Sequence, residues 1–349
     1  MKLMKNTMKC LVAVFMMAMA FAATSVTAEA AEMVARTFDK NLEDVSVIKA
    51  QDLNCLGEAG FYEGEYVEGL RQTGATLTSV TLTWNPVNGA VGYYVLALDK
   101  YGDVYGKLDY VQTASVTITV PENTYEAGVG ILPVDGDGDL SEYYTAIDVY
   151  AQPKQITGLK VDGAFGSGSK LNVVWNDSVC YGFEAVCYNR KGKPVQTVDE
   201  SYYRSASFSK TNSQNIYSVK VRAYTWINGG TEKIYGDYSK TLYAVPQPKI
   251  TSKKSDLKRN SVNLKWKKVT GATKYDIYVS RSEKSGYKKV ATVKSNKKSY
   301  KITKFKGKTL NIHNKTHYIK IVTHAKFGKK TVKSSSKPQL SVYTYTTYY

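Results

Sequence analysis

The sequence has few of the residue types on which catalysis and covalent cross-linking depend. It contains 4 cysteines and 3 histidines among 349 residues, and His313, His317 and His324 all lie in its last part. So few cysteines argue against a disulfide framework. Segments without histidine lack the usual base for a serine or cysteine nucleophile, and no phosphate-binding glycine loop is present. We therefore expect a protein that is not an enzyme and needs no cofactor or metal.

Long apolar runs are also scarce, and the longest lies at the N-terminus. Lys2, Lys5 and Lys9 precede an apolar run over residues 11–23, which Ala28-Glu-Ala30 follows as a small-residue cleavage signal. The run is shorter than the roughly 20 residues that a membrane-spanning helix needs. This pattern predicts a secretory signal peptide over residues 1–30. The mature chain is then expected to be secreted, extracellular or associated with the cell envelope, without membrane insertion.

Three tryptophans divide the rest of the chain into equivalent parts. Trp84, Trp175 and Trp266 stand 91 residues apart, and each ends an alternating segment such as Ser79-Val-Thr-Leu-Thr-Trp84. Two further alternating runs follow each tryptophan, and the first of them begins at Tyr93, Phe183 or Tyr275. A period of two is typical of half-buried strands, and no segment sustains a helical period. The sequence therefore predicts a tandem repeat of β-sandwiches.

These motifs resemble the fibronectin type III family. Family members carry a core tryptophan on the second strand, an aromatic residue near the start of the third and a tyrosine that opens the sixth. The last repeat departs from this pattern, because His317 stands where the tyrosine is expected. The resemblance implies an all-β chain of three tandem seven-stranded immunoglobulin-like antiparallel sandwiches and, usually, a non-catalytic role in adhesion, spacing or as an accessory to carbohydrate-active enzymes.

The repeat pattern also predicts the domain boundaries. We expect an acidic spacer over residues 31–66 and repeats over residues 67–151, 155–245 and 248–345, joined by short proline-containing links. Cys180 and Cys187 lie in the middle repeat. A disulfide between them is one possibility, and a buried free Cys187 that fills the core is the interpretation we favour.

Charge is divided unevenly along the chain. Residues 31–150 hold 6 Lys+Arg and 19 Asp+Glu, whereas residues 246–349 hold 27 and 3. So basic a repeat attracts anions, although lysines on edge strands also protect a sandwich from aggregation. Opposite charges at the two ends also suggest head-to-tail association between molecules. The predicted polyanion-binding residues are the paired lysines Lys253, Lys254, Lys267, Lys268, Lys288, Lys289, Lys297, Lys298, Lys329 and Lys330.

Two further clusters admit a chemical interpretation. The segment from Asp135 to Glu142 alternates acidic residues with glycine, as calcium loops do, but Leu140 stands where such a loop needs glycine. We favour a plain turn. His313 and His317 have a spacing found in zinc sites, yet no cysteine or carboxylate cluster accompanies them, so we favour structural histidines.

Tyrosine is abundant, with 29 residues. Outward-facing rings offer contact area for sugars or proteins, whereas the preference of tyrosine for strands explains them without a ligand. The tyrosines with outward parity or a terminal position are Tyr94, Tyr278, Tyr343, Tyr345, Tyr348 and Tyr349.

The sequence predicts a secreted binding, adhesion or spacer protein of the bacterial cell-surface type. Its expected partners are cell-wall or extracellular polyanions, or an unidentified surface protein or glycan. Nucleic acid is expected to bind only as a non-specific polyanion. The alternative is a carbohydrate-binding or enzyme-accessory module.

Overall fold

The computed structural model describes residues 66–98, 104–120, 126–138, 140–141, 144–166, 170–200, 203–313, 315–335 and 337–343. The predicted signal peptide, nearly all of the acidic spacer, Cys10 and Cys55 lie outside these residues. Contacts divide the chain into two compact units, Met1–Lys154 with Tyr224–Gly236, and Gln155–Ala223 with Asp237–Tyr349. In the described part of the chain the regular structure is β-strand, and no helix there is long and apolar enough to cross a bilayer.

The first sandwich has seven strands. They are β1 (Arg71–Ala75), β2 (Ser79–Thr83), β3 (Ala90–Leu98), β4 (Val104–Val111), β5 (Ser115–Thr119), β6 (Ala127–Asp135) and β7 (Thr145–Val149). One sheet has the order β1-β2-β5 and the other the order β4-β3-β6-β7, with antiparallel pairing throughout. The residues that alternate inward, including Val80, Leu82 and Trp84, form its core.

The second sandwich repeats this order with its last strand split in two. Its strands are β8 (Lys160–Val161), β9 (Leu171–Val174), β10 (Gly182–Asn189), β11 (Pro194–Glu200), β12 (Ser205–Phe208), β13 (Tyr217–Ile227), β14 (Glu232–Tyr235) and β15 (Leu242–Ala244). The sheets have the orders β12-β9-β8 and β11-β10-β13-β14. Because β14 and β15 pair with opposite ends of β13, together they take the place of one seventh strand.

The third sandwich has the same plan and one additional hairpin. Its strands are β16 (Ile250–Asp256), β17 (Ser261–Trp266), β18 (Ala272–Ser280), β19 (Lys288–Lys294), β20 (Ser299–Ile302), β21 (Lys304–Phe305), β22 (Lys308–Thr309), β23 (His317–Phe327), β24 (Lys330–Lys333) and β25 (Leu340–Val342). The sheets are β16-β17-β20 and β19-β18-β23-β24, and β25 pairs with the start of β23. The β21–β22 hairpin lies apart from both sheets.

Each core is built around one tryptophan and the aromatic residue that opens the next strand. The ring centroids of Trp84 and Tyr93 lie 5.2 Å apart, and those of Trp266 and Tyr275 lie 5.6 Å apart, in edge-to-face geometry. Such pairs add about 0.5–1.5 kcal/mol beyond their buried area. The all-β fold of tandem antiparallel sandwiches is thus confirmed. The inward residues of the alternating pattern form the three main cores, and the first sandwich has a further buried cluster of Leu96, Leu98, Val104 and Leu132 that this pattern did not predict.

Tyrosine hydroxyl groups tie the loops to these cores. The Tyr93 hydroxyl accepts a hydrogen bond from the Val87 N–H at 2.9 Å, and the Tyr217 hydroxyl accepts one from the Asn212 N–H at 2.8 Å. At the position equivalent to Tyr217, the buried His317 of the third sandwich uses its Nδ1 to bond the Lys315 carbonyl oxygen at 3.1 Å. The departure from the family pattern therefore keeps a polar tie to the preceding loop.

A buried glutamine joins the second and third sandwiches within the second unit. The Gln247 backbone N–H donates to the Phe165 carbonyl oxygen at 2.9 Å, and its side-chain Nε2 donates to the Lys337 carbonyl oxygen at 2.9 Å. Gly166 packs so closely here that a Cβ atom would lie 2.4 Å from the Gln247 oxygen. Hydrogen bonds therefore tie the link before the third sandwich to the second sandwich on one side and to the third sandwich on the other.

Candidate polyanion-binding surface

All ten lysines predicted to bind polyanions are exposed, but they do not share one face. Neighbouring residues in a strand point to opposite faces, so each lysine pair within a strand is divided. Lys289 lies opposite Tyr278, on the outer face of its sheet, whereas Lys288 lies opposite Val279, whose side chain is in the core. Of the remaining pairs, one is in β16, two are in connections between strands, and Lys329–Lys330 stands at the start of β24.

Strand register instead assembles a row of basic residues on the outer face of the β19-β18-β23-β24 sheet. Lys294 lies opposite Lys274, Lys274 opposite His324, and His324 opposite Lys333. Neighbouring strands are about 4.8 Å apart, so the row crosses four strands without interruption. We call these four residues the basic row.

Alignment of this kind opposes stability, because like charges directly opposite each other on a sheet repel. Lys294 and Lys333 are exposed and Lys274 is half-buried. Among the described residues, no carboxylate lies within 4.0 Å of any of these three ammonium groups. The three lysines therefore leave their charge available to an anion in solution.

One carboxylate, Asp276, lies beside the basic row, and its side chain is 5% exposed. Its oxygens accept hydrogen bonds from Thr292 Oγ1 at 2.7 Å and His324 Nε2 at 2.9 Å, and Lys289 Nζ lies 4.0 Å away. Burial raises the pKa of this carboxyl group, but those partners outweigh burial and leave its pKa below the ordinary value. Asp276 is therefore ionised and committed to internal partners.

His324 is buried within the row. Burial lowers its pKa, the charges of Lys274 and Lys333 lower it further, and Asp276 opposes both effects. The neutral ring then carries its proton on Nε2, where it donates to Asp276. Protonation would add a positive charge to the centre of the row.

Lysines also cover the tyrosines of this face. Lys320 Nζ lies 4.0 Å from the ring centroid of Tyr287 and 5.4 Å from that of Tyr278. In the first sandwich, Lys107 covers Tyr94 at 4.4 Å. Tyr94 and Tyr278 are thus half-buried under cations, which is a favourable cation–π arrangement. Tyr343 is 46% exposed, and Tyr345, Tyr348 and Tyr349 lie outside the described residues.

The described residues of the acidic segment form a turn. The Asp135 carboxylate accepts the Asp137 N–H at 3.0 Å, and the Asp135 carbonyl accepts the Gly138 N–H at 3.2 Å. Gly138 has a φ of +86°, which favours glycine. Asp139 and Glu142 lie outside the described residues.

His317 and His324 point to opposite faces of the sheet that contains β23. His317 has the parity of the core residues of β23, whereas His324 has the parity of the outer face. In the described part of the chain, no group of three or more His, Cys, Asp and Glu residues is arranged to hold a metal ion.

Neither described cysteine is in a disulfide. Cys187 is fully buried in the core of the second sandwich, in agreement with the favoured interpretation, and Cys180 is partly buried. Burial raises the pKa of the Cys180 thiol to about 11 and that of Cys187 to about 12. Both groups are therefore protonated and poorly nucleophilic at neutral pH.

The basic row was missed because the sequence analysis relied on neighbouring lysine pairs. Lys274, Lys294 and Lys333 are isolated lysines that alternate with core residues in three strands. Their outward parity is visible in the sequence. Their alignment depends on strand register, which parity alone does not determine.

The strand orders define the class of protein as a tandem array of fibronectin type III-like sandwiches. No protein-family model matches the sequence, and no curated protein matches it. Solved fibronectin type III arrays are similar to this chain.

Three of these solved structures illustrate the likeness. The FN1-FN3 domains of chicken CNTN1 cover 78% of this chain and 98% of their own at 16% identity, with a TM-score of 0.25. A two-domain segment of chicken tenascin covers 51% and 97% at 16% identity, with a TM-score of 0.30. The central array of RIM-binding protein covers 77% and 96% at 13% identity, with a TM-score of 0.20. At these identities the likeness concerns the fold alone.

Proposed function

We propose that this is a secreted, non-enzymatic binding or spacer protein that associates with the cell envelope or extracellular matrix by binding polyanions through its third sandwich. The fold alone does not define such a function. The observation that carries the proposal is the basic row, where strand pairing aligns Lys294, Lys274 and Lys333. Within the described part of the chain, no carboxylate lies within 4.0 Å of these three lysines.

The chemistry of the row favours a repetitive anion over a single specific group. Lysine presents a compact, hydrated charge and little of the planar recognition that arginine provides. Exposed charges of this kind act through a screened field, so attraction weakens as salt shortens the Debye length from about 10 Å at 0.1 M. A linear polyanion lying across the four strands would meet successive cations along its length.

A comparison of two triple variants of the full chain tests this proposal. The first, Lys274→Gln with Lys294→Gln and Lys333→Gln, removes the lysines of the basic row. The matched control, Lys254→Gln with Lys265→Gln and Lys301→Gln, removes three exposed lysines from the outer face of the β16-β17-β20 sheet. Both variants lose the same net charge.

Binding to purified cell walls, dextran sulfate and duplex DNA is measured from about 0.05 to 0.5 M salt. We expect the row variant to lose most of its binding, with a salt slope on DNA lower by about 0.9 for each phosphate contact removed. The control variant should stay near the unmodified protein. Equal losses in both variants would contradict a role for the row, and salt-insensitive binding to neutral dextran would favour the carbohydrate-binding alternative.

A further inference from the structure

A second basic feature of the third sandwich is a groove at one end of β18. It has a volume of about 490 Å³. Its walls come from the end of β18, the connection that follows it, and the β21–β22 hairpin. The lining residues are Ser280, Arg281, Ser282, Gly286, Phe305, Lys306, Lys308, Thr309 and Asn311. None of them is acidic.

The groove combines one aromatic residue with three cations. Phe305 lines it and is 9% exposed, and Arg281, Lys306 and Lys308 line it and are exposed. A volume of this size lies within the range of sites for small ligands, although this lining is more polar than that of most such sites. Because Arg281, Lys306 and Lys308 are cations, the expected ligand is an anion.

Local structure fixes the backbone segments that carry these cations. The buried Ser280 Oγ donates to the Ser285 carbonyl oxygen at 2.5 Å and accepts the Ser282 N–H at 3.0 Å, which fixes the segment that carries Arg281. Across the groove, Lys306 and Gly307 have φ values of +52° and +79°. This left-handed two-residue turn is typical of a tight hairpin and is an uncommon conformation for lysine.

We propose that this groove binds a single oxyanion group, a carboxylate or a phosphate, on a sugar-sized unit of the polymer that the basic row attracts. The inference rests on the proposed function and deepens it. Arg281 supplies the planar fork that pairs with either oxyanion through two hydrogen bonds. Lys306 and Lys308 contribute further positive charge, and the hydroxyl groups of Ser282 and Thr309 are available to the ring that carries the anion.

A buried histidine behind the groove offers an independent readout. The His317 ring contacts Phe305 edge-on, with centroids 5.9 Å apart. Burial lowers the His317 pKa, and the charges of Arg281 and Lys315 lower it further. An anion bound at Arg281 would offset that charge and raise the His317 pKa. His324 responds in the same way to an anion at the basic row, because Lys274 and Lys333 lower its pKa.

The test is an NMR titration of the full chain with isotope-labelled histidine, since the protein has 3 histidines. The probes are glucuronate, glucose 6-phosphate and glucose, which share a ring and differ in charge. We expect both anionic probes to raise the His317 pKa and glucose to leave it unchanged. The stronger of the two anionic probes identifies the oxyanion as carboxylate or phosphate. No change in the His317 pKa with either anion would overturn the proposal.

Arginine variants locate the binding site. Arg281→Gln should weaken binding of the anionic probes about tenfold or more, as expected for loss of hydrogen bonds to a charged group. Arg259→Gln, which removes an arginine outside the groove, should have no effect. A His317 response that persists unchanged in Arg281→Gln would also refute the assignment. Unaltered His313 and His324 signals show that each variant is folded.

The groove and the basic row can fail separately. If Arg281→Gln binds anionic polymers and small anions as the unmodified protein does, while the row variant loses polymer binding, the groove proposal is wrong and the proposed function stands. If His317 responds to small anions but the protein binds no anionic polymer, the groove stands and the polymer function is wrong.

Discussion

At the scale of single residues, the most informative contact is the buried Asp276–His324 pair. The carboxylate and the imidazole share a hydrogen bond of 2.9 Å and lie close to several lysines. The pKa values of both groups lie below their ordinary values. Asp276 therefore stabilises the face that carries the basic row, and its own negative charge is already engaged by internal hydrogen-bond partners. His324 adjusts the charge of that row, because its protonation depends on Asp276 on one side and on lysines on the other.

Removing the Asp276 charge should shift the titration of His324. In Asp276→Asn, the effect that raises the His324 pKa is lost, so that pKa should fall further below 6.5. Histidine NMR of the full chain measures it. Thr292→Val is the matched control, because it removes the other hydrogen bond to Asp276 and keeps the charge. A His324 pKa that rises in Asp276→Asn would contradict this account of the pair.

The same pKa shifts predict how stability depends on pH. His317 and His324 both have folded-state pKa values below 6.5, so the unfolded chain binds more protons just below that pH. The contribution of these residues to stability is complete above about pH 6.5 and is lost as the pH falls through their folded-state pKa values. Chemical unfolding between pH 8 and 5 should show the third sandwich losing stability on acidification. A midpoint that rises on acidification would contradict the prediction.

At the scale of elements, the alternation of apolar and polar residues explains where the strands lie, and strand pairing explains which surface residues come together. β17 reads Ser-Val-Asn-Leu-Lys-Trp and buries Val262, Leu264 and Trp266 as parity predicts, whereas the burial of Ser261 departs from parity. The last strand of the second and third sandwiches divides into two segments, which single-strand patterns did not predict, because the division depends on pairing with β13 and β23. Parity also accounts for the burial of Cys187 in the core and for the opposite orientations of His317 and His324 on β23. Domain boundaries at the proline-containing links stay a prediction.

The link before the third sandwich also gives an element-scale prediction. Gln247 is 3% exposed and donates to the Lys337 carbonyl oxygen, so Gln247→Ala should cost about 0.5–1.5 kcal/mol by removing this part-buried hydrogen bond. Gln155→Ala is the control, because Gln155 makes a comparable bond to the Tyr238 carbonyl oxygen in an exposed setting. Denaturant unfolding of the full chain compares the two. Equal, small effects would show that the buried glutamine does not stabilise the link.

At the scale of the whole molecule, the chain separates its charges. Acidic residues predominate between residues 31 and 150, with 6 Lys+Arg against 19 Asp+Glu, and basic residues predominate after residue 246, with 27 against 3. Such separation creates long-range fields of opposite sign on one molecule. If the proposed function holds, we expect polyanions and the acidic parts of other copies to compete for the same basic sandwich.

Attraction between the acidic and basic parts of different copies should appear as self-association that depends on salt. At about 0.02 M salt the full chain is expected to form head-to-tail oligomers, and at about 0.5 M, where the Debye length is only a few ångströms, it should be monomeric. Light scattering across this range provides the measurement. Dextran sulfate should dissociate the oligomers into monomers at low salt. A chain that stays monomeric at low salt would rule out this association.

The number of tryptophan-centred repeats, their all-β character and the large positive charge of the last repeat follow from the sequence alone. These properties depend on local periodicity and composition, which any stretch of chain carries within itself. The alignment of Lys294, Lys274, His324 and Lys333 in one row, and the groove that Arg281, Lys306 and Lys308 line, become visible only in the folded chain. They depend on strand register and loop placement, which are set by pairing and packing between segments distant in sequence.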